Sequence, residues 1–171
     1  HMSYKYILGL LKGGLYNEFY EEIKTNLTCF MDPAVYGRST LENSSFIATS
    51  INPDPSVRGQ GYVARLSGST AEMLSIWSYM MFGKNPFIIE DNELVLNLKP
   101  LLSKEFFKNN ELSFTFLGKT KITYNNSKNI DTFSSDFLIT KYEIDGEFKN
   151  TIKGNDALNL RSGLIKEIKV Y

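Results

Sequence analysis

The spacing of hydrophobic and polar positions changes near residue 84 of the chain. Before that point, apolar residues recur at roughly helical spacing from Ile7 to Phe30. Gly13 and Gly14 interrupt this run, so the pattern predicts a firm helix from about Leu15. After residue 84 the period becomes two, which is typical of β-strands with one buried face.

A second helix is predicted from about Ser69 to Phe82, because Gly83 is a typical residue just beyond a helix C-terminus. Its apolar residues fall on nearly every side, whereas a surface helix keeps a polar face. We therefore expect it to be buried on most sides, in a larger helical assembly or at the centre of a small bundle. If it were left uncovered, it would promote homo-oligomerisation or docking of a partner subunit.

The second half of the chain predicts several short antiparallel strands joined by turns rich in Asn, Asp and Gly. The alternating segments are residues 93–99, 112–117, 121–124 and 168–170. The predicted fold class is therefore α+β. A helical segment with a polar loop spans residues 1–84, and an antiparallel β-sandwich or jelly-roll-like domain spans residues 85–171.

Residues 36–61 fit neither period and are predicted to form a long polar loop. Their side chains suit a cleft for sugars or phosphates, although a polar loop that caps helix ends is the simpler alternative. Glu42 and Asp54 are the carboxylates to consider as acids or bases. The residues that would line such a cleft are Arg38, Glu42, Asn43, Asp54, Arg58 and Arg65.

The segment Ser67-Gly68-Ser69-Thr70 opens the second predicted helix and is the best candidate for an anion site. Ser69 stands three residues before Glu72, the spacing of a capping box. The hydroxyl groups lie where free N–H groups and the helix dipole favour an anion, and Arg65 would add a positive charge. A well-capped helix without a ligand is the alternative.

Composition excludes several classes of site. Nineteen basic residues balance nineteen acidic ones, so no overall field favours nucleic acid or anionic lipid. Cys29 is the only cysteine, which fits a reducing, cytoplasmic compartment and a small buried hydrophobic role. His1-Met2 resembles a cleavage scar, and the rest of the chain has no histidine for a triad or a metal site. No apolar run is long enough to span a membrane.

Two segments carry a family resemblance: Tyr-Gly-Arg-Ser-Thr-Leu-Glu-Asn-Ser-Ser-Phe-Ile at 36–47, and Gly-Tyr-Val-Ala-Arg-Leu-Ser-Gly-Ser-Thr-Ala-Glu-Met-Leu at 61–74. They resemble the last stretch of cellobiose-phosphorylase-type glycoside phosphorylases, as does the strand–turn–strand segment 114–126. These are inverting enzymes with an N-terminal β-sandwich, an (α/α)6 barrel and a C-terminal jelly-roll domain. The resemblance implies the final barrel helices followed by that last domain.

Such enzymes cleave β-glucosidic bonds with inorganic phosphate. By resemblance, the phosphate-binding residues are Ser67, Gly68, Ser69 and Thr70. The family's catalytic acid and phosphate-binding histidine lie upstream and have no counterpart here, so no catalytic residue is assigned. The implied partners are an oligosaccharide, phosphate as co-substrate and the rest of a parent enzyme, with no metal or other cofactor. The alternative is a non-catalytic carbohydrate-binding or partner-docking module built on the β half.

Overall fold

A computed structural model describes residues 1–64 and 67–171, except for the side chain of Ser67. The described chain is α+β, as predicted. It divides into two compact units, His1–Ser78 and Tyr79–Tyr171, and the division falls within the longest helix.

The first unit contains two helices where the pattern predicts one firm helix. Helices α1 (Met2–Lys12) and α2 (Tyr16–Asn26) are joined by a turn in which Gly14 has a φ of 78°. The start of α2 agrees with the predicted helix, but α1 was missed. Four residues of α1 at helical spacing are buried, which makes it part of the core. They are Tyr4, Ile7, Leu8 and Leu11.

The region predicted as an irregular loop is more ordered than expected. Helix α3 (Pro33–Tyr36) ends where the predicted loop begins, and β1 (Ser44–Ile47), within it, forms an antiparallel hairpin with β2 (Gly61–Ala64), which starts at its last residue. Each strand has only four residues and contains polar or glycine positions. An alternation of two residues cannot be recognised over so short a run.

Helix α4 (Ser67–Phe82) ends where the pattern predicts, because Gly83 has a φ of 80° and its N–H bonds to the carbonyl of Tyr79 at 3.1 Å. The expectation that it is buried on most sides is met only in part within the described chain. Ile76 and Met80 are buried, but Leu74 is 61% exposed.

The second unit begins with a hairpin of β3 (Phe87–Glu90) and β4 (Glu93–Leu96). Asp91 and Asn92 both have positive φ, 48° and 63°, as a two-residue hairpin turn of this twist requires. The pair agrees with the prediction of turns rich in Asn, Asp and Gly between the strands.

A five-stranded sheet follows, in the order β5-β6-β9-β7-β8. Its strands are β5 (Glu111–Phe116), β6 (Thr120–Asn125), β7 (Tyr142–Ile144), β8 (Glu147–Lys149) and β9 (Glu167–Val170). The pair β6–β9 is parallel, so the prediction of a wholly antiparallel domain needs correction. Helix α5 (Asn155–Arg161) lies between β8 and β9 in sequence, where the pattern predicts only a turn.

One face of the five-stranded sheet builds the core of the second unit. The Phe116 ring lies 5.2 Å from the ring of Phe82 at the end of α4 and 5.9 Å from that of Phe87 on β3. The hydroxyl of Tyr124 donates to the carbonyl of Met81 at 2.7 Å, and burial raises its pKa well above the usual value. The hairpin β3–β4 and the sheet therefore share one aromatic core.

Candidate functional site

The predicted anion site lies at the start of α4, but not in the predicted register. The helix begins at Ser67, two residues before the predicted N-cap, so Ser69 is its third residue and does not occupy the N-cap position that a capping box with Glu72 requires. Arg65 falls outside the described residues, and so does the side chain of Ser67.

The remaining three residues of the motif differ in accessibility. Ser69 is fully buried, Gly68 is half-buried and Thr70 is exposed. All three belong to the first turn of a 16-residue helix, whose N–H groups have no carbonyl partner within the helix. A ligand at this point would therefore meet backbone N–H groups and the Thr70 hydroxyl, while Ser69 faces the protein.

His1 lies against the same helix start. A Cβ at Gly68 would come within 2.8 Å of the imidazole ring, and the ring's Nε2 is 4.0 Å from a carboxylate oxygen of Glu72. A side chain at position 68 would therefore displace the imidazole, which is the outer end of a flexible side chain. Because His1 resembles a cleavage scar, its contact with Gly68 has to be controlled for in any binding experiment.

Among the polar residues of segment 36–47, Tyr36 has a structural role. Its buried hydroxyl donates to the carbonyl of Glu42 at 2.6 Å and also bonds the hydroxyl of Ser44. The ring packs against Gly61, where a side chain would collide with it. Tyr36 thereby ties the loop before β1 to the beginning of β2.

Arg38 and Asn43, two of the predicted cleft residues, are also committed to the fold. The exposed Arg38 donates from Nε to the carbonyl of Gly61 at 2.7 Å. The Oδ1 atom of Asn43 accepts from the hydroxyl of Tyr4 at 2.9 Å and lies 3.3 Å from the hydroxyl of Thr28. The bonds of Asn43 join α1, the 3-10 turn Thr28–Phe30 and the segment before β1, and ligand binding by Arg38 or Asn43 stays a prediction.

The carboxylate of Asp54 caps a short 3-10 helix, Pro55–Val57. It accepts from both the backbone N–H and the hydroxyl of Ser56, and these bonds lower its pKa. Arg58 donates to the carbonyl of Asn52 at 2.8 Å. A carboxylate with a lowered pKa is less suited to act as a general acid, and a role for Asp54 in acid–base chemistry stays a prediction. Glu42 is half-buried, and its role as an acid or base stays a prediction.

The structure has a polar cleft beside the predicted loop, but Arg38, Glu42, Asn43, Asp54 and Arg58 do not line it. It has a volume of about 450 Å³ and lies between the starts of α1 and β1, with hydroxyl groups on several of its walls. The Oγ atom of Ser45 is buried there without a hydrogen-bond partner. Its sequence signal is the repetition of small hydroxyl residues on both sides of Phe46 and Ile47, namely Ser44, Ser45, Thr49 and Ser50.

The position of Cys29 differs from expectation. Cys29 is exposed rather than buried, because it lies in a one-turn 3-10 helix at the surface. Trp77 is half-buried in α4. Among the helices of the described ranges, none is both long enough and apolar enough to cross a bilayer.

No family model matches the chain, and no curated protein matches it either.

Proposed function

We propose that the chain is the C-terminal part of an inverting glycoside phosphorylase that acts on β-glucosidic oligosaccharides with inorganic phosphate. It would contribute part of the phosphate and sugar site but not the catalytic acid. The observation that supports this most directly is the position of Ser67-Gly68-Ser69-Thr70 in the first turn of α4. The N–H groups of that turn, which have no carbonyl partner within the helix, and the positive end of the helix dipole favour an anion there.

The chemistry of phosphorolysis explains why a chain without the catalytic acid could still supply part of the active site. Hydrolysis with inversion needs two carboxylates, one to protonate the leaving oxygen and one to activate water. Phosphate is already a nucleophile, so phosphorolysis needs one acid and an anion cradle. An oxygen of phosphate bonds to the anomeric carbon as the glycosidic bond breaks, and the leaving oxygen takes a proton from the acid. The start of α4 would supply the cradle.

The finer architecture belongs to the same proposal. The helices of the first unit would be the last helices of an (α/α)6 barrel, and the second unit would be the jelly-roll-like domain. Uncovered apolar side chains in the first unit support the barrel assignment, because a partial barrel leaves such surface exposed. In the second unit, Phe87 on the hairpin packs against Phe116 on the sheet, which supports a two-layered domain.

Phosphate titration of the intact chain tests the cradle. We expect weak binding that Thr70→Val reduces, because one exposed hydroxyl donor is lost at a cost of roughly 0.5–1.5 kcal/mol. Ser75→Ala is the matched control. Ser75 lies on the same helix, but its hydroxyl bonds to the carbonyl of Ala71 within the helix. His1→Ala shows whether the imidazole beside Gly68 is responsible for any binding.

The outcomes separate the proposal from adventitious anion binding. Equal phosphate affinity in wild type and Thr70→Val, or loss of all binding in His1→Ala, would contradict the cradle. Any parent polypeptide that contains this chain is expected to release sugar only when phosphate is present. Release that does not depend on phosphate would contradict the enzyme assignment itself.

A second candidate function is favoured by one observation. Leu74, on the apolar helix α4, is 61% exposed, which suits docking of a partner subunit or a second copy of the chain. Light scattering of the isolated chain tests self-association, and a monomer at all concentrations would contradict the homo-oligomer.

A further inference from the structure

The outer face of the five-stranded sheet is polar except at one corner. Strand register places Ser113, Thr123, Lys169, Glu143 and Phe148 in one row across the five strands. Four of these are polar, and their neighbours bond along the face, as Ser113 and Thr123 do at 2.8 Å. The exception is Phe148, which is 59% exposed.

A second aromatic ring lies beside Phe148. The ring centroids of Phe148 and Tyr171 are 5.9 Å apart and the rings are inclined by 56°. The ammonium group of Lys141 lies 4.3 Å from the centroid of Phe148 and 5.0 Å from that of Tyr171. We call these three residues the aromatic corner. It combines apolar ring surface with a hydrogen-bond donor between the rings.

Polar groups hold the corner in place. Glu143 accepts from the hydroxyl of Tyr171 at 2.7 Å and from the ammonium of Lys169 at 3.0 Å. The backbone of Tyr171 pairs with that of Lys141, with an N–H to carbonyl distance of 3.0 Å. Tyr171 is therefore fixed at both its backbone and its hydroxyl, as a pre-organised binding surface requires.

A cleft of about 380 Å³ adjoins the corner, and Lys141 and Tyr171 line both features. Its other walls include Asn125, Asp136 and the half-buried ring of Phe137. The far wall is held by Asn126, whose buried side chain donates to the carbonyl of Ile130 at 2.7 Å and accepts from its N–H at 3.3 Å. The cleft is thus lined by aromatic rings, an amide, a carboxylate and an ammonium group.

We infer that this cleft and the aromatic corner form a binding site for a neutral oligosaccharide chain. Sugar rings present apolar C–H surface to aromatic side chains and hydroxyl groups to amides, carboxylates and ammonium groups. Charges of both signs surround the site, with Lys128, Lys141 and Asp136 in the cleft and the Glu143–Lys169 pair beside the corner, which favours a neutral ligand over a strongly charged one. The size of the cleft suits one or two sugar rings, with the chain continuing over the corner.

This site does not depend on the phosphate cradle proposed above, because all of its residues belong to the second unit. Titration calorimetry of the intact chain with cellohexaose, laminarihexaose and maltohexaose is the test. We expect at least one hexasaccharide to bind, and Tyr171→Ala and Asn125→Ala each to weaken that binding about tenfold. The matched control is Thr115→Ala, an exposed position on β5 at the opposite edge of the same sheet face.

The results distinguish this site from the cradle. Thr70→Val, which reduces phosphate binding under the proposed function, should leave saccharide affinity unchanged. Amide chemical-shift mapping in the wild type should place the perturbations at Asn125, Lys141 and Tyr171. This measurement locates the binding site even if the Tyr171→Ala variant does not fold. Absence of binding to all three hexasaccharides, or wild-type affinity in Asn125→Ala, would overturn the inference.

Discussion

The two units differ in how completely they cover their apolar side chains. Although the first unit is the shorter, it holds most of the large hydrophobic residues that are exposed in the described chain. Those of the first unit are Met2, Tyr6, Leu15, Phe30, Val35, Leu41, Phe46, Ile51, Tyr62, Val63 and Leu74. Those of the second unit are Ile89, Leu117, Leu138, Phe148, Leu158 and Leu164.

The difference follows from how each kind of element buries its side chains. In the second unit, strands alternate, so one sheet face covers the core and the other face is polar. In the first unit, α4 is apolar around its circumference and needs neighbours on several sides. Its described neighbours leave part of that surface uncovered. This is the physical reason to regard the first unit as part of a larger helical assembly, as proposed above.

The largest expected effect is a loss of stability on substitution in the closed core of the second unit. Ile122 is fully buried on β6, so Ile122→Ala should lower the free energy of unfolding by about 2–5 kcal/mol. Urea denaturation followed by circular dichroism measures it. Leu117→Ala is the control, because that side chain is half exposed and its loss should change stability by less than about 0.5 kcal/mol. Similar losses for both variants would contradict a closed core.

The next largest effect is expected at the hydrogen bonds of the Tyr36 hydroxyl in the first unit. Tyr36→Phe removes a buried hydroxyl and leaves the Glu42 carbonyl and the Ser44 hydroxyl without that partner, which should cost about 1–3 kcal/mol of stability. Tyr62→Phe is the control, since its hydroxyl bonds to Gln60 at the surface. If the two variants denatured at the same urea concentration, the order in this unit would not depend on the Tyr36 hydroxyl.

A smaller effect is expected at the exposed face of α4. Leu74→Glu should weaken self-association or partner docking about tenfold, because a charge replaces apolar contact surface. Sedimentation velocity measures the association. The paired control, Leu158→Glu, changes an exposed leucine of the second unit and should have no effect. If both substitutions weakened the association equally, the exposed face of α4 would not be a specific docking surface.

The smallest effect is a dependence of stability on pH at the sheet's outer face. The hydroxyl of Tyr171, and then Lys169, lower the pKa of Glu143. A lowered pKa in the folded state stabilises the protein above the pKa of the unfolded state, and this contribution is lost as pH falls through the folded pKa. The melting temperature of wild type should therefore exceed that of Glu143→Gln at neutral pH, with the gap closing in acid. If the difference in melting temperature did not change with pH, the ionised Glu143 carboxylate would not contribute to stability.

Much of the second unit was predictable because its information is local. The Asp91-Asn92 turn, the alternation along β5 and β6 and the stop at Gly83 depend on residues close in sequence. Helix α5 and the parallel pairing of β6 with β9 were not predictable in this way. The pairing joins residues more than forty positions apart, and α5 is too short to show a clear period.

At the candidate site, the sequence determined that small hydroxyl residues and a glycine open a long helix, since composition and helix signals suffice for that. Only the tertiary structure decided which of them are accessible, because burial depends on what packs against the helix: Ser69 faces inward and Thr70 faces outward. It likewise decided that Arg38 and Asn43 hold the fold together, since their partners, Gly61 and Tyr4, are distant in sequence. Residue types limit what a side chain can do, and long-range packing selects what it does.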